Sequence, residues 1–266
     1  MAAPLFALQT PLIAPDEVPR NLAITPPDML QRRYFAMDKW ACAPRPQYSS
    51  SCGMSAVCAV WNYLYSSLGG GIERPLAVEE VGELLGFEPP LRKHGLFYIQ
   101  TNSQIMTWFQ RLCELKHLPG TSRILFKLQG SRKTSLTPDT AFWQVASALR
   151  TPSQALVYHC ESHFMTLVGY EVSPQSQTNA YSTCSEMRVE TMEPWVIAAE
   201  TNGKKQPLHS IRWQDVVTDL SLLYPAYLDV RSADQGVREH RSALYTSGEY
   251  AGRNIHCIMV FDRVTA

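Results

Sequence analysis

Two residues in this chain have the types and the setting for nucleophilic chemistry: Cys52, in Gln47-Tyr48-Ser49-Ser50-Ser51-Cys52-Gly53, and His163, which opens the apolar run HFMTLVGY. A free thiol ionises near pH 8.5 and is a weak nucleophile below that, but the first turn of a helix lowers its pKa. The unpaired N–H groups and partial positive charge of that turn favour the thiolate. The same N–H groups suit the oxyanion of an acyl-transfer intermediate, and the amide of Gln47, five residues upstream, is placed to donate a second hydrogen bond. Gly53 lets backbone approach a substrate carbonyl. A thiolate also needs a proton acceptor, and His163 presents its imidazole at a strand end rather than in mid-sheet. A third polar group should orient that ring. Glu200, closing WVIAAE, and Asn202, just past it, are both suitably placed.

Those roles need a helix that begins at Cys52 and strands that begin or end at the other groups. In CGMSAVCAVWNYLYSS the apolar residues Val57, Val60, Trp61 and Leu64 recur at i, i+3, i+4 and i+7, a helical stripe. Ser49, Ser50 and Ser51 offer caps before it, and Gly69-Gly70-Gly71 ends it. Further helices are expected over Val78 to Leu85, Ser103 to Lys116, Thr137-Pro138 to Arg150 and Trp213 to Leu223. The one that opens at Thr137-Pro138 carries a capping Thr and a Pro at its first position. Strands are expected at 123–128, 155–158, 163–172, 195–199 and 255–261, with a tight turn over Cys160 to Ser162. Residues 1–35 are proline-rich and read as an irregular arm, leaving 36–266 as one domain. The Ser-, Gln- and Thr-rich stretch 173–194 reads as a surface excursion. Helices first and strands later describe an α+β protein of two lobes, the helical part carrying the nucleophile and an antiparallel sheet carrying the histidine.

Composition narrows the function. The 266 residues hold 24 Lys plus Arg and 24 Asp plus Glu, so the formal net charge is zero. With no basic block, a nucleic-acid or acidic-membrane partner is not expected. Cysteines number 7, an odd count without a CxxC pair. The N-terminus lacks a basic n-region, and Pro11 and Pro15 break its apolar run, so no signal peptide is expected. No stretch approaches the roughly 20 apolar residues of a membrane span. These features suggest a reducing cytoplasmic or nuclear setting with free thiols. His159-Cys160-x-x-His163 and His256-Cys257 match no standard zinc spacing, and His159 and Cys160 point to opposite faces of one strand. No metal or other cofactor is expected. His256, packed within NIHCIMVF, is the alternative base, with His163 then its neighbour.

The order Q-x4-C-G, H-F-x-x-L-V-G-Y, then an acidic or amide residue ending the next strand, resembles the C39-like branch of papain-like cysteine peptidases. More narrowly, QYSSSCGMSAVCAVWNYLYS, Leu85-Gly86-Phe87-Glu88-Pro89-Pro90, HCESHF, WQDVVTDL, PAYLDVR and NIHCIMVF resemble the family of basic immunoglobulin-like variable motif-containing proteins across about residues 30 to 264. That resemblance implies Glu200 rather than Asn202 as the orienting group. C39-like peptidases carry Asp or Asn followed by Pro at this point, and this chain lacks that proline. The helix-first pattern argues against the immunoglobulin sandwich that the family name evokes. The resulting expectation is a thiol hydrolase acting on a peptide, isopeptide or related amide bond of a protein or peptide substrate. Its rivals are a transferase, in which an amine resolves the acyl-enzyme, and an inactive scaffold that keeps the fold to bind a partner.

Overall fold

A computed structural model describes residues 34–44, 50–88, 101–130, 132–161, 163–174, 192–200 and 207–264. Its centre is a mixed α+β arrangement about one antiparallel sheet. The strands are β1 (Tyr34–Ala36), β2 (Gly120–Phe126), β3 (Gln154–Cys160), β4 (His163–Pro174), β5 (Met192–Ala199), β6 (Leu208–Arg212) and, after the small ribbon of β7 (Ala226–Tyr227) and β8 (Arg238–Glu239), β9 (Cys257–Arg263). The sheet order is β2-β9-β3-β4-β5-β6, with β1 also paired to β4. The last strand therefore lies between β2 and β3. The expected strand at 123–128 starts and ends earlier, because pairing with β9 extends it back to Gly120 and a register break follows Ile124.

Helices cover both faces of this sheet. On one face lie α1 (Cys52–Tyr65), α2 (Val78–Leu84) and α3 (Asn102–Leu115), whose Val57, Trp61, Phe109 and Leu112 share a core with Val157, Phe164, Val168 and Met259. On the other, α4 (Pro138–Arg150) and α5 (Trp213–Ser221) pack Phe142, Val145, Trp213 and Val216 on Leu156, Met165 and Val260. The period-2 alternation of each strand sends its apolar residues to both faces, so both need covering. The expectation of two lobes is corrected accordingly: the described residues form three layers around a shared sheet. α6 (Ala243–Thr246) is a single exposed turn. Among the described residues no helix is long and apolar enough to cross a membrane.

The helix carrying Cys52 is buried nearly throughout, from Gly53 to Tyr65. Trp61 and Leu64 are wholly buried, and replacing such a Trp by Ala costs about 3–5 kcal/mol. The helix stops at Tyr65, before the glycine triplet. The chain then folds back, with the Gly70 N–H donating to the Tyr63 carbonyl at 2.9 Å. A Cβ at Gly71 would lie 1.8 Å from the Tyr65 carbonyl oxygen, so the triplet permits the return rather than the stop. Thr137 caps α4 by accepting from the Thr140 N–H, with Pro138 in the first turn as expected. The proline-rich arm lies outside the described residues except for Tyr34 and Phe35, which belong to β1. Most of the 173–194 excursion also lies outside them.

Candidate active site

Register brings the singled-out residues together. β4 and β5 run antiparallel with Thr166 opposite Ala199, so the start of β4 and the end of β5 lie side by side. His163 is the first residue of β4, and Glu200 directly follows β5. The Glu200 N–H donates to the Pro207 carbonyl at 3.0 Å, which continues the β5–β6 pairing of Ala199 with Leu208 and holds the carboxylate in place. Cys52 is the first residue of α1, which packs against β4.

The three side chains form one chain of contacts. His163 Nε2 is paired with Glu200 Oε2, and the imidazole is hydrogen-bonded to Cys52. With Nε2 turned to the carboxylate, Nδ1 is the ring nitrogen left for the thiol. Both polar members are buried, His163 at 4% and Glu200 at 1% exposure, while Cys52 is half-buried. Burial alone would raise the thiol pKa. The hydrogen bond and charge of His163, joined by the N–H groups of Phe164 and Gly53, outweigh burial and hold Cys52 below its ordinary value. For His163 burial works downward, yet Cys52 and Glu200 together raise it. Burial also opposes ionisation of Glu200, but hydrogen bonds from His163 and His209 and the charge of Arg231 bring it down to about 2. These directions favour a thiolate–imidazolium–carboxylate arrangement.

Ser51 stands at the N-cap position of α1 without a side-chain cap hydrogen bond. Its Oγ lies 3.5 Å from the Ser55 hydroxyl instead, which corrects the expected capping role. Gln47 and Asn202 lie outside the described residues. His256 is not brought to Cys52. Its Nδ1 lies 2.8 Å from Asp219 Oδ1 and its Nε2 lies 2.7 Å from the Tyr224 hydroxyl. Asp219 accepts a second bond from the Tyr158 hydroxyl. The other described cysteines (Cys42, Cys58, Cys113, Cys160 and Cys257) are buried. Burial pushes Cys42 and Cys257 up to about 12 and Cys113 up to about 11. Among the described residues no group of three His, Cys, Asp or Glu side chains is arranged to hold a metal ion.

Sequence reasoning missed two neighbours of Glu200. His209 Nε2 lies 2.8 Å from Oε1, and Arg231 Nη1 lies 3.8 Å from Oε2. Arg231 is itself held by Asp229 and donates to the Glu161 carbonyl. Arg231 closes PAYLDVR, which was read for the family likeness and not for the site, while His209 stands in none of those motifs and only the pairing of β6 with β5 reveals it. Asp219 did leave a signal: it falls on the apolar face of WQDVVTDL, between Val216 and Leu220, where a carboxylate requires a buried partner.

Fold and site together define an α+β protein with an antiparallel sheet and a buried Cys–His–Glu cluster at one sheet end. Sequence comparison gives the family: the chain belongs to the basic immunoglobulin-like variable motif-containing proteins, whose family model matches residues 28–266. It is 32% identical over 263 residues to the protein of that name from Xenopus laevis, covering 97% of this chain and 51% of the frog protein. The Homo sapiens protein is 33% identical over 238 residues, covering 89% of this chain and 46% of its own length. A relative from Giardia intestinalis is 28% identical over 221 residues, 75% of this chain and 78% of the relative. The chain thus spans about half the length of the vertebrate relatives it matches. No solved structure matches it.

Proposed function

We propose that this chain is a papain-like thiol hydrolase of C39-like type, cleaving an amide bond of a protein or peptide through an acyl-enzyme on Cys52. The observation that carries the reading is the lowered Cys52 thiol hydrogen-bonded to a raised His163, with Glu200 behind the imidazole. The placement of Cys52 at the start of a buried helix, against a strand that begins with its histidine, supports a papain-like fold.

In the first half-reaction the Cys52 thiolate adds to the carbonyl carbon, forming a C–S bond and moving the π electrons onto oxygen. First-turn N–H groups of α1, with the Gln47 amide, stabilise that oxyanion. Collapse re-forms the carbonyl and breaks the C–N bond, and the amine leaves with the proton of the His163 imidazolium. In the second half-reaction neutral His163 takes a proton from water as its oxygen adds to the thioester. Collapse then breaks the C–S bond, releases the acid and restores thiolate and imidazolium. Glu200 keeps the ring oriented throughout, and no cofactor is required.

The test is the pH dependence of Cys52 alkylation by iodoacetamide. The expected profile holds a plateau on the acid side of an ordinary thiol, and Cys52 labels ahead of the other cysteines. His163→Ala is expected to return the profile to that of a free thiol. A wild-type Cys52 that titrates near pH 8.5 would overturn the reading.

A further inference from the structure

We propose that His209 is a positioning residue for the Cys52–His163–Glu200 set: its Nε2–H holds Glu200 Oε1 so that Oε2 stays turned to the His163 imidazole. The inference rests on the proposed thiol chemistry and adds a fourth member to it.

A carboxylate has two oxygens and rotates about the bond that joins it to its chain. One partner leaves that rotation free, whereas two donors on opposite oxygens fix the plane. Glu200 has both, His163 on Oε2 and His209 on Oε1 at 2.8 Å. The two histidines belong to strands on opposite sides of β5, so the carboxylate is gripped by separate elements of the sheet. His209 is opposite Ala198 in the β5–β6 register, two positions from Glu200, within reach of a diagonal cross-strand pair. Because Nε2 faces a carboxylate, it must carry the proton, which fixes the tautomer. Second partners of this kind orient the ligands of metal sites in the same way, and here the oriented group is the carboxylate that holds the His163 imidazole.

The other side of His209 is wet. The side chain keeps 14% of its surface exposed and lines a cavity of about 640 Å³ shared with Arg212, Asp215, Arg231 and Asp234. The charged groups around the imidazole are thus three carboxylates, Asp215, Asp234 and the buried Glu200, and the guanidiniums of Arg212 and Arg231. What holds Oε1 is the Nε2–H donor at 2.8 Å.

The experiment is the pH profile of iodoacetamide alkylation at Cys52 in the full chain, for wild type, His209→Ala and His209→Gln. Loss of the donor is expected to move the acid limb of the Ala variant upward by about one pH unit, or roughly tenfold less thiolate at a pH below the limb. Gln offers an N–H at comparable reach, and its profile should return close to wild type. Should His209→Ala fail to fold, His209→Asn stands in, because it stays polar but its shorter amide cannot reach Glu200. A wild-type acid limb with an unshifted Ala or Asn variant overturns the role of His209 alone. Equal shifts in the Gln and Ala variants overturn it as well, since a neutral donor would then not restore the site. A wild-type Cys52 with no acid limb overturns the Cys52–His163 pairing itself, and the positioning role with it.

Discussion

Of two buried histidine–carboxylate pairs among the described residues, one stands beside a thiol and the other beside a phenol. His163 with Glu200 and His256 with Asp219 are both almost fully buried, and each imidazole has a polar group on its other nitrogen. For His163 that group is the half-buried Cys52 thiol; for His256 it is the Tyr224 hydroxyl, 5% exposed. Burial and nearby acidic groups push the Tyr224 phenol up, whereas Cys52 is brought down. Tyr158 donates to Asp219, and the Asn254 amide ties the Asp219 and Leu222 carbonyls together. The second pair is thus closed on every side and serves to hold α5 against the sheet. A histidine and a carboxylate do not make a reactive centre; the acidity and access of the third partner do.

The sharpest break in this comparison removes Asp219. Asp219→Ala leaves His256 and Tyr158 buried without their shared acceptor, and such a loss costs on the order of 3–5 kcal/mol, visible as a fall in the melting temperature. In the fraction that stays folded, the pH profile of Cys52 alkylation should not move. The mirror experiment is His163→Ala. An ordinary thiol is under about 1% ionised at pH 6, so Cys52 labelling there should slow on the order of 10²-fold while the melting temperature changes less than in Asp219→Ala.

Glu200→Gln sharpens the first pair. His163 is raised in the folded protein, so its imidazolium persists to higher pH than a free histidine and is lost as pH rises through the raised value. Removing the carboxylate charge lowers that value, and the alkaline limb of the rate profile should shift to lower pH by about one unit. Glu200 itself is depressed to about 2. The stability it contributes is present above its ordinary value near 4.5 and is lost as pH falls toward 2, so acid unfolding of the Gln variant should be less steep there. The smallest effect belongs to Tyr224→Phe. It removes one hydrogen bond from His256 and should cost about 1 kcal/mol, read by denaturant unfolding, with Cys52 unaffected.

What the sequence made legible was local. The apolar stripe from Val57 to Leu64 located α1, Thr137-Pro138 located the start of α4, and the apolar run after His163 located β4. Those signals placed Cys52 and His163 at element starts and Glu200 at a strand end, and the structure brings all three together. The remainder depends on which strand pairs with which. His209 meets Glu200 only because β6 lies beside β5 in one register, and a slip of one residue would send its side chain to the other face. The helices on the second face were expected as elements, but nothing in their periodicity says which side of a sheet they cover. Ser51 illustrates the reverse failure: its type fits a cap and its position is right, yet its hydroxyl turns to Ser55.

The place of β9 carries a consequence for how the protein is made. β9 runs between β2 and β3, although more than ninety residues separate it in sequence from either. Until residues 257–263 have been synthesised, β2 and β3 face each other across a missing strand, and β3 is the strand that leads into the hairpin carrying His163. Such exposed edges are templates for association with other chains, and pairings this distant in sequence form slowly. A nascent chain halted before Cys257 would therefore hold β3 to β6 as one ribbon with β2 unjoined to it. The order in which the strands are made thus differs from the order in which they lie, and closure of the sheet between β2 and β3 waits for residues 257–263.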